Sequence, residues 1–235
     1  MKDYDVFVDA SVESNLRGAC AGAVLVDRST NEILNIEFAY QPNGTNNSGE
    51  ACAILIGVNL LSKLRDFLGN DEGEYRLNLF SDSMISLFGV RQWIFKWLPC
   101  DASMVLHKND GEEVKNQNYF KLIYNKIMLS NLPVNLYHQR GHCVHDPEKI
   151  KDDFHKMNRC NCFDINVTPE YLGHWNDYID KATRDILYNG GKTRDGVPVM
   201  EDHLYELEPG AIYMPEDLVT PGSVIRHKDL INHVL

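Results

Sequence analysis

The sequence predicts an α/β fold, a five-stranded mixed sheet in which three antiparallel strands are followed by parallel ones, with helices on its flanks. Three observations predict it. Two tight returns within the first 40 residues join three strand-like segments into a meander. Beyond them, segments of helical periodicity alternate with short apolar runs, the pattern of crossover connections. The composition, 43% hydrophobic and 24% charged over 235 residues, is that of a globular chain with one good core and room for a small appended unit.

In order, residues 4–10 (YDVFVDA) alternate, with Val6 and Val8 on one side and Phe7 and Asp9 on the other. The turn SVESNLRG leads into ACAGAVLVD, which ends near Asp27, and Ser29-Thr30-Asn31 turns the chain into EILNIEFAY, residues 32–40. After the polar loop QPNGTNNS, Ala53, Ile54, Val58, Leu61, Leu64 and Leu68 make one apolar stripe, which predicts a helix over about 48–68 with Ser48 as its N-cap. RLNLFS (76–81) is a fourth strand running into Asp82-Ser83. Helices are expected over about 83–97, carrying Trp93 and Trp97, and over about 116–130. PVNLYHQ (133–139) is a fifth strand, and a last helix over about 175–188 sets Trp175, Ile179, Ala182 and Ile186 on one face.

No apolar run approaches the roughly 18 residues of a membrane span. The N-terminus, MKDYDVFVDA, resembles neither a signal nor a transit peptide, so a cytoplasmic protein is expected. Its six cysteines are then free thiols or metal ligands rather than disulfides. The net charge of −11, taken alone, argues against a nucleic-acid partner.

Periodicity does not explain an acid at the end of an apolar strand. Asp9 closes the first strand and Asp82 the fourth; as parallel neighbours they would meet at one edge of the sheet. Glu50, in the first turn of the long helix, can point at that edge, and Asp180, one turn after Asn176, can close the cluster. Each acid alone reads as a strand end or a solvated helix position. Four together repel one another, and hard divalent cations such as Mg²⁺ or Mn²⁺ relieve that repulsion. Two such ions about 4 Å apart suit phosphodiester hydrolysis.

These residues resemble the type 1 ribonuclease H family, over roughly residues 5–142 and 174–188. VFVDAS with AGAVLVD is similar to the family's first hairpin, and TNNSGE (45–50) to its TNN-x-x-E. FSDSMISLFGVRQWIFKW (80–97) is similar to its DS pair, Gly, Gln-Trp and second Trp. VKN (114–116), YHQRGH (137–142) and NDYIDKA (176–182) follow in family order. The resemblance implies an RNase H-like fold and cleavage of the RNA strand of RNA–DNA hybrids with two Mg²⁺ or Mn²⁺ ions, leaving 5′-phosphate and 3′-hydroxyl ends. Asp9, Glu50, Asp82 and Asp180 would be the metal-binding acids and His142 the loop histidine, with His174 as its rival. Asn15, Asn46, Asn47, Ser83, Trp93 and Asn176 would meet the hybrid, the short amides reading the 2′-hydroxyl. A monomer without an organic cofactor is expected.

Four departures stand out. Ala10 replaces the family's Gly, and Met84 stands where a Gln is expected. Residues 98–115, in place of the basic protrusion of many bacterial members, carry Lys108 and Lys115 against Asp101, Asp110, Glu112 and Glu113. That balance predicts weak grip on the hybrid. About 31 residues, 143–173, are inserted before the last helix, and their Cys143, His145, His155, Cys160 and Cys162 are either ligands of a structural zinc ion or incidental groups in a flexible polar flap. The catalytic domain is then 1–188, followed by an extension, 189–235, whose fragments AIYM and SVIRHKDLINHVL suggest packing on the body. Two alternatives remain: a DNA resolvase or structure-specific nuclease of the same fold, and a weakly active hybrid-binding module.

Overall fold

The computed structural model describes residues 2–13, 18–68, 75–97, 105–129, 131–158 and 167–189, and the short strands 204–207 and 224–226. Strands β1 (Lys2–Glu13), β2 (Gly18–Asp27) and β3 (Glu32–Pro42) form the antiparallel meander. Helix α1 (Asn46–Leu68) crosses to β4 (Tyr75–Ser81), which pairs parallel to β1. Residues 84–97 form one helical run, α2 (Met84–Phe88), a π-helical turn (Gly89–Trp93) and α3 (Ile94–Trp97). Helix α4 (Gln117–Leu129) leads to β5 (Val134–His138), parallel to β4. Helices α5 (Pro147–Met157) and α6 (Pro169–Asn189) follow.

The five-stranded body expected from the sequence is present, and β6 (Leu204–Leu207) and β7 (Val224–Arg226) lengthen it to the order β5-β4-β1-β2-β3-β6-β7. In five strands β3 would be an edge with unpaired N–H and C=O groups; β6 covers it in parallel. The AIYM fragment lies outside the described residues.

Alternation on β1 sorts the two cores. Val6, Val8 and Ala10 pack with α1 and α4 on one face. Phe7 packs with Phe80, Tyr137, Trp175 and Ile179 on the other, under α6. Helix α1 departs from the expected stripe: every residue from Gly49 to Ser62 is buried, because the sheet covers one side and α4 the other. Its cap is also one turn earlier. Thr45 and Ser48 bond reciprocally, Thr45 N to Ser48 Oγ at 2.8 Å and Ser48 N to Thr45 Oγ1 at 3.2 Å, so Thr45 caps and Ser48 answers it.

The inserted segment is not only a polar flap. Asp146-Pro147 opens α5, with Lys149 N donating to Asp146 Oδ1 at 3.1 Å. Thr168-Pro169 opens α6 about six residues before the expected start at 175, with Tyr171 N donating to Thr168 Oγ1 at 3.2 Å. Both are cap-plus-proline starts, in which the proline's missing N–H costs nothing.

Candidate active site

Three rows of side chains cross β1, β4 and β5 on the face under α6. Register places Asp5, Asn78 and Asn135 side by side, then Phe7, Phe80 and Tyr137. One alternation further come Asp9, Asp82 and Gln139, each just beyond the aligned Val8, Ser81 and His138. The ladder reaches this third row: Gln139 N donates to Ser81 O at 3.0 Å. The middle row is a stack, with ring centroids 4.9 Å apart for Phe7–Phe80 and 5.4 Å for Phe80–Tyr137.

Asp9, Glu50 and Asp82 each bring a carboxylate oxygen within 4.8 Å of the others. Asp9 and Glu50 are buried, and Glu50 Oε2 has no hydrogen-bond partner among the described residues. Burial first, then the charges of Asp82 and Asp180, push Asp9 well above the usual carboxylate range. Burial, then Asp9, Asp82 and Asp180, do the same to Glu50. Asp82 is raised by burial and by Asp180 but eased by His142, Asn176 and His138. Three carboxylate oxygens held this close form a donor set that suits a hard divalent cation.

Asp180 stands beside this triad. Both its oxygens accept from Arg184 Nη2 at 2.8 Å, and its Oδ2 lies 3.7 Å from Nδ1 of the exposed His142. The four expected acids therefore form a close triad and a neighbour held by an arginine one turn on. Helix α6 comes down here because Gly22, paired with Asp9, leaves space: a β-carbon there would strike Thr183 and Phe38. Ser11 and Thr183 share a hydrogen bond of 2.9 Å at the same seam. Asn176, buried on α6, eases Asp82, yet its Nδ2 finds no acceptor within hydrogen-bond distance.

The loop after β5 completes the wall. A β-carbon at Gly141 would collide with Asp82 Oδ2, so only glycine lets this backbone lie against the carboxylate. His142 follows with a positive φ of 53°, which turns its ring to the rim. The structure thus brings His142 to the acids, whereas His174 packs edge-on against Trp175, 4.9 Å between ring centroids.

The other expected contacts are less uniform. Asn46 and Asn47 are exposed in the first turn of α1. Ser83 caps α2, its Oγ accepting from Ser86 N at 3.4 Å. Trp93, in the π-helical turn, packs against Phe88 and Trp97 with centroids 6.2 and 5.8 Å away. Asn15 lies outside the described residues, as do Cys160 and Cys162. Among the described residues the acidic triad is the metal-competent group, and Cys143, His145 and His155 join none. Cys143 is a free thiol. Sequence reasoning missed His138 and Gln139. Each of the three strands carries an aromatic residue two places before a polar one (Phe7/Asp9, Phe80/Asp82, Tyr137/Gln139), and that repeat was the signal for Gln139.

Two carboxylates just past the end of the β1–β4 ladder and a third from α1, in a mixed sheet of this order, are the arrangement of a nuclease of the acid-cluster type; Asp9 does not close β1, which runs on to Glu13. The chain belongs to the RNase H family, whose model matches residues 1–155. It is similar to ribonuclease HI of Haemophilus ducreyi (strain 35000HP / ATCC 700724), 26% identical over 161 residues covering 68% of this chain and 93% of the relative. Among solved structures it is similar to LC11-RNase H1 in complex with an RNA/DNA hybrid, at TM-score 0.43 and 20% identity over 66% of this chain and 94% of that one. It is also similar to the foamy viral protease–reverse transcriptase in complex with RNA/DNA hybrid, at TM-score 0.45 and 12% identity over 67% of this chain; the match spans 19% of that longer chain. No described helix is long and apolar enough to cross a membrane.

Proposed function

We propose that the protein is an endoribonuclease that hydrolyses the RNA strand of RNA–DNA hybrids with two Mg²⁺ or Mn²⁺ ions, leaving 5′-phosphate and 3′-hydroxyl ends. The triad of Asp9, Glu50 and the partly buried Asp82, with carboxylate oxygens mutually within 4.8 Å, carries this reading. These acids, with Asp180 at one side, would hold the ions; two such cations activate a water and stabilise the leaving oxygen. Asn46 and Asn47 would offer donors and acceptors to 2′-hydroxyls. His142 at the rim would carry a proton or ease product release.

A specific observation favours weak hybrid affinity. Lys108, one of two cations in the acidic stretch 98–115, is tied to Glu112 at 2.7 Å. Residues 1–188 are read as the catalytic unit, a cytoplasmic monomer, with 189–235 as its extension. The test is cleavage of a labelled hybrid with Mg²⁺ and with Mn²⁺, beside RNA–RNA and DNA–DNA duplexes and an Asp82→Asn protein. Cleavage confined to the RNA strand and absent from the variant is expected. Cleavage of the DNA duplex instead would favour a structure-specific DNA nuclease, and binding without turnover a hybrid-binding module.

A further inference from the structure

The inserted helix α5 packs against α6, and its C-terminal end is stapled to β5. Asn158, just past the helix, treats His138 as a neighbouring strand would. Its Oδ1 accepts from His138 N at 2.8 Å, and its Nδ2 donates to His138 O at 2.6 Å. The same Nδ2 donates to Phe154 O at 3.1 Å, which ties the amide to its own helix. Phe154 packs on Tyr137 and Phe80 of the aromatic row. An edge strand that would otherwise end unpaired is fixed at one residue.

That residue touches the site. His138 is 5% exposed, and its Nε2 lies 3.2 Å from the backbone oxygen of Asp82. A carbonyl can only accept, so Nε2 carries the hydrogen. On the far side of the ring, Nδ1 makes no hydrogen bond among the described residues, with Asp153 of α5 3.6 Å away. Asp153 also faces Arg140, at 3.6 Å, which leads into Gly141. The helix thus reaches Asp82 twice: at its backbone through His138, and at its carboxylate through the loop whose Gly141 presses on Oδ2.

We propose that α5 is a brace for Asp82, with His138 as its positioning residue, Asn158 as the group that holds His138, and Asp153 as the group that faces Arg140 and so steadies the loop at Gly141. The inserted segment then sets the aim of a metal-binding carboxylate, a task of outer-shell partners that is worth about 10- to 100-fold in metal affinity. This rests on Asp82 being a metal ligand, as proposed above.

Titration calorimetry of Mn²⁺ into the full chain without nucleic acid reads the brace directly. His138→Ala should weaken Mn²⁺ binding about tenfold or more, and His138→Gln, which returns an N–H near the Nε2 position, should recover most of the loss. Asp153→Ala removes a partly exposed side chain and orphans no backbone group, so it serves as the folded test. It should weaken binding in the same direction by less, with the metal-free melting temperature unchanged. Glu148→Ala, on the exposed first turn of α5, should bind as the parent does. In cleavage assays kcat should fall while KM for the hybrid holds. Equal Mn²⁺ affinity in parent, His138→Ala and Asp153→Ala overturns the brace and leaves the site reading standing. No Mn²⁺ binding by the parent sinks the site reading, and the brace with it.

Discussion

Two polar rows lie on the same face of the same three strands, one on each side of the stacked rings, and they are treated in opposite ways. In the lower row Asp5 accepts from Arg28 Nε and Nη2, both at 2.7 Å, from Tyr171 OH at 2.8 Å and from Asn78 Nδ2 at 2.9 Å. Asn135 extends the chain to Asn78 at 3.0 Å, and Arg76 holds Asp3 with bonds of 2.6 and 2.7 Å. In the upper row Asp9, Asp82 and Glu50 face one another, and Glu50, Gln139 and Asn176 keep buried polar atoms without partners. Buried acids near cations read as structural, whereas acids left to repel one another suit a cation taken from solution.

The largest effect expected from that contrast is on turnover. Asp9→Asn or Asp82→Asn should lower hybrid cleavage by about a thousandfold or more, since metal stabilisation of the reacting oxygens is worth several kcal/mol. The metal-free protein should meanwhile melt higher, because one repelling charge is gone. A variant that lost activity and stability together would place the upper row with the lower one.

The lower row should behave in the reverse sense. Asp5→Ala takes two hydrogen bonds from the partly buried Arg28, which keeps Asp3 at 3.3 Å, and should cost about 2–3 kcal/mol of stability by denaturant titration, with activity per folded molecule retained. Substantial loss of specific activity at full folding would break the division.

Acidity separates the rows without mutation. Asp9, Glu50 and Asp82 have folded values above their unfolded ones, so their contribution is complete below about pH 4 and is lost as pH rises through the raised values. Asp3 runs the other way: burial opposes it, but Arg76 and Arg28 hold it low, so its contribution is present above about pH 4 and lost as pH falls through the lowered value. Calorimetry of the metal-free protein should show melting temperature declining as pH rises above about 4. Saturating Mg²⁺ should flatten that decline, and an unchanged slope would mean that the triad binds no cation.

How much of this was legible in the sequence follows from range. The meander, the crossover helices and the acid after β4 are local patterns, and Asp9, Glu50 and Asp82 converge, although Asp9 lies inside β1 rather than at its end, because β2 keeps pairing with β1 as far as Glu13. The starts of α5 and α6 were equally local, in Asp146-Pro147 and Thr168-Pro169, but the apolar stripe at Trp175 outweighed the cap. Burial of α1 all round was not legible, since it depends on α4 arriving from 50 residues downstream. Nor was the pairing of Asp180 with Arg184, because an acid four residues before an arginine reads as a surface helix pair. Asn158 reaching across to imitate a strand leaves no periodic trace at all.

The smallest effect, and the one that sharpens the contrast most, belongs to Gln139. It is fully buried, and neither Oε1 nor Nε2 has a hydrogen-bond partner among the described residues. An orphaned buried amide costs about 1–3 kcal/mol, so Gln139→Leu, of similar volume, should stabilise the metal-free protein by about 1 kcal/mol. A residue that destabilises where it stands needs a reason to be polar, and its place in register with Asp9 and Asp82 supplies one. Its amide can orient a water beside the bound ions, so the same variant should bind Mn²⁺ several-fold more weakly. Melting and titration on one preparation read both halves. If stability rises while Mn²⁺ affinity holds, the functional part of the upper row ends at Asp82. If both change together, the row works as a unit across three strands, and its want of partners in the metal-free protein is what readies it for the ions.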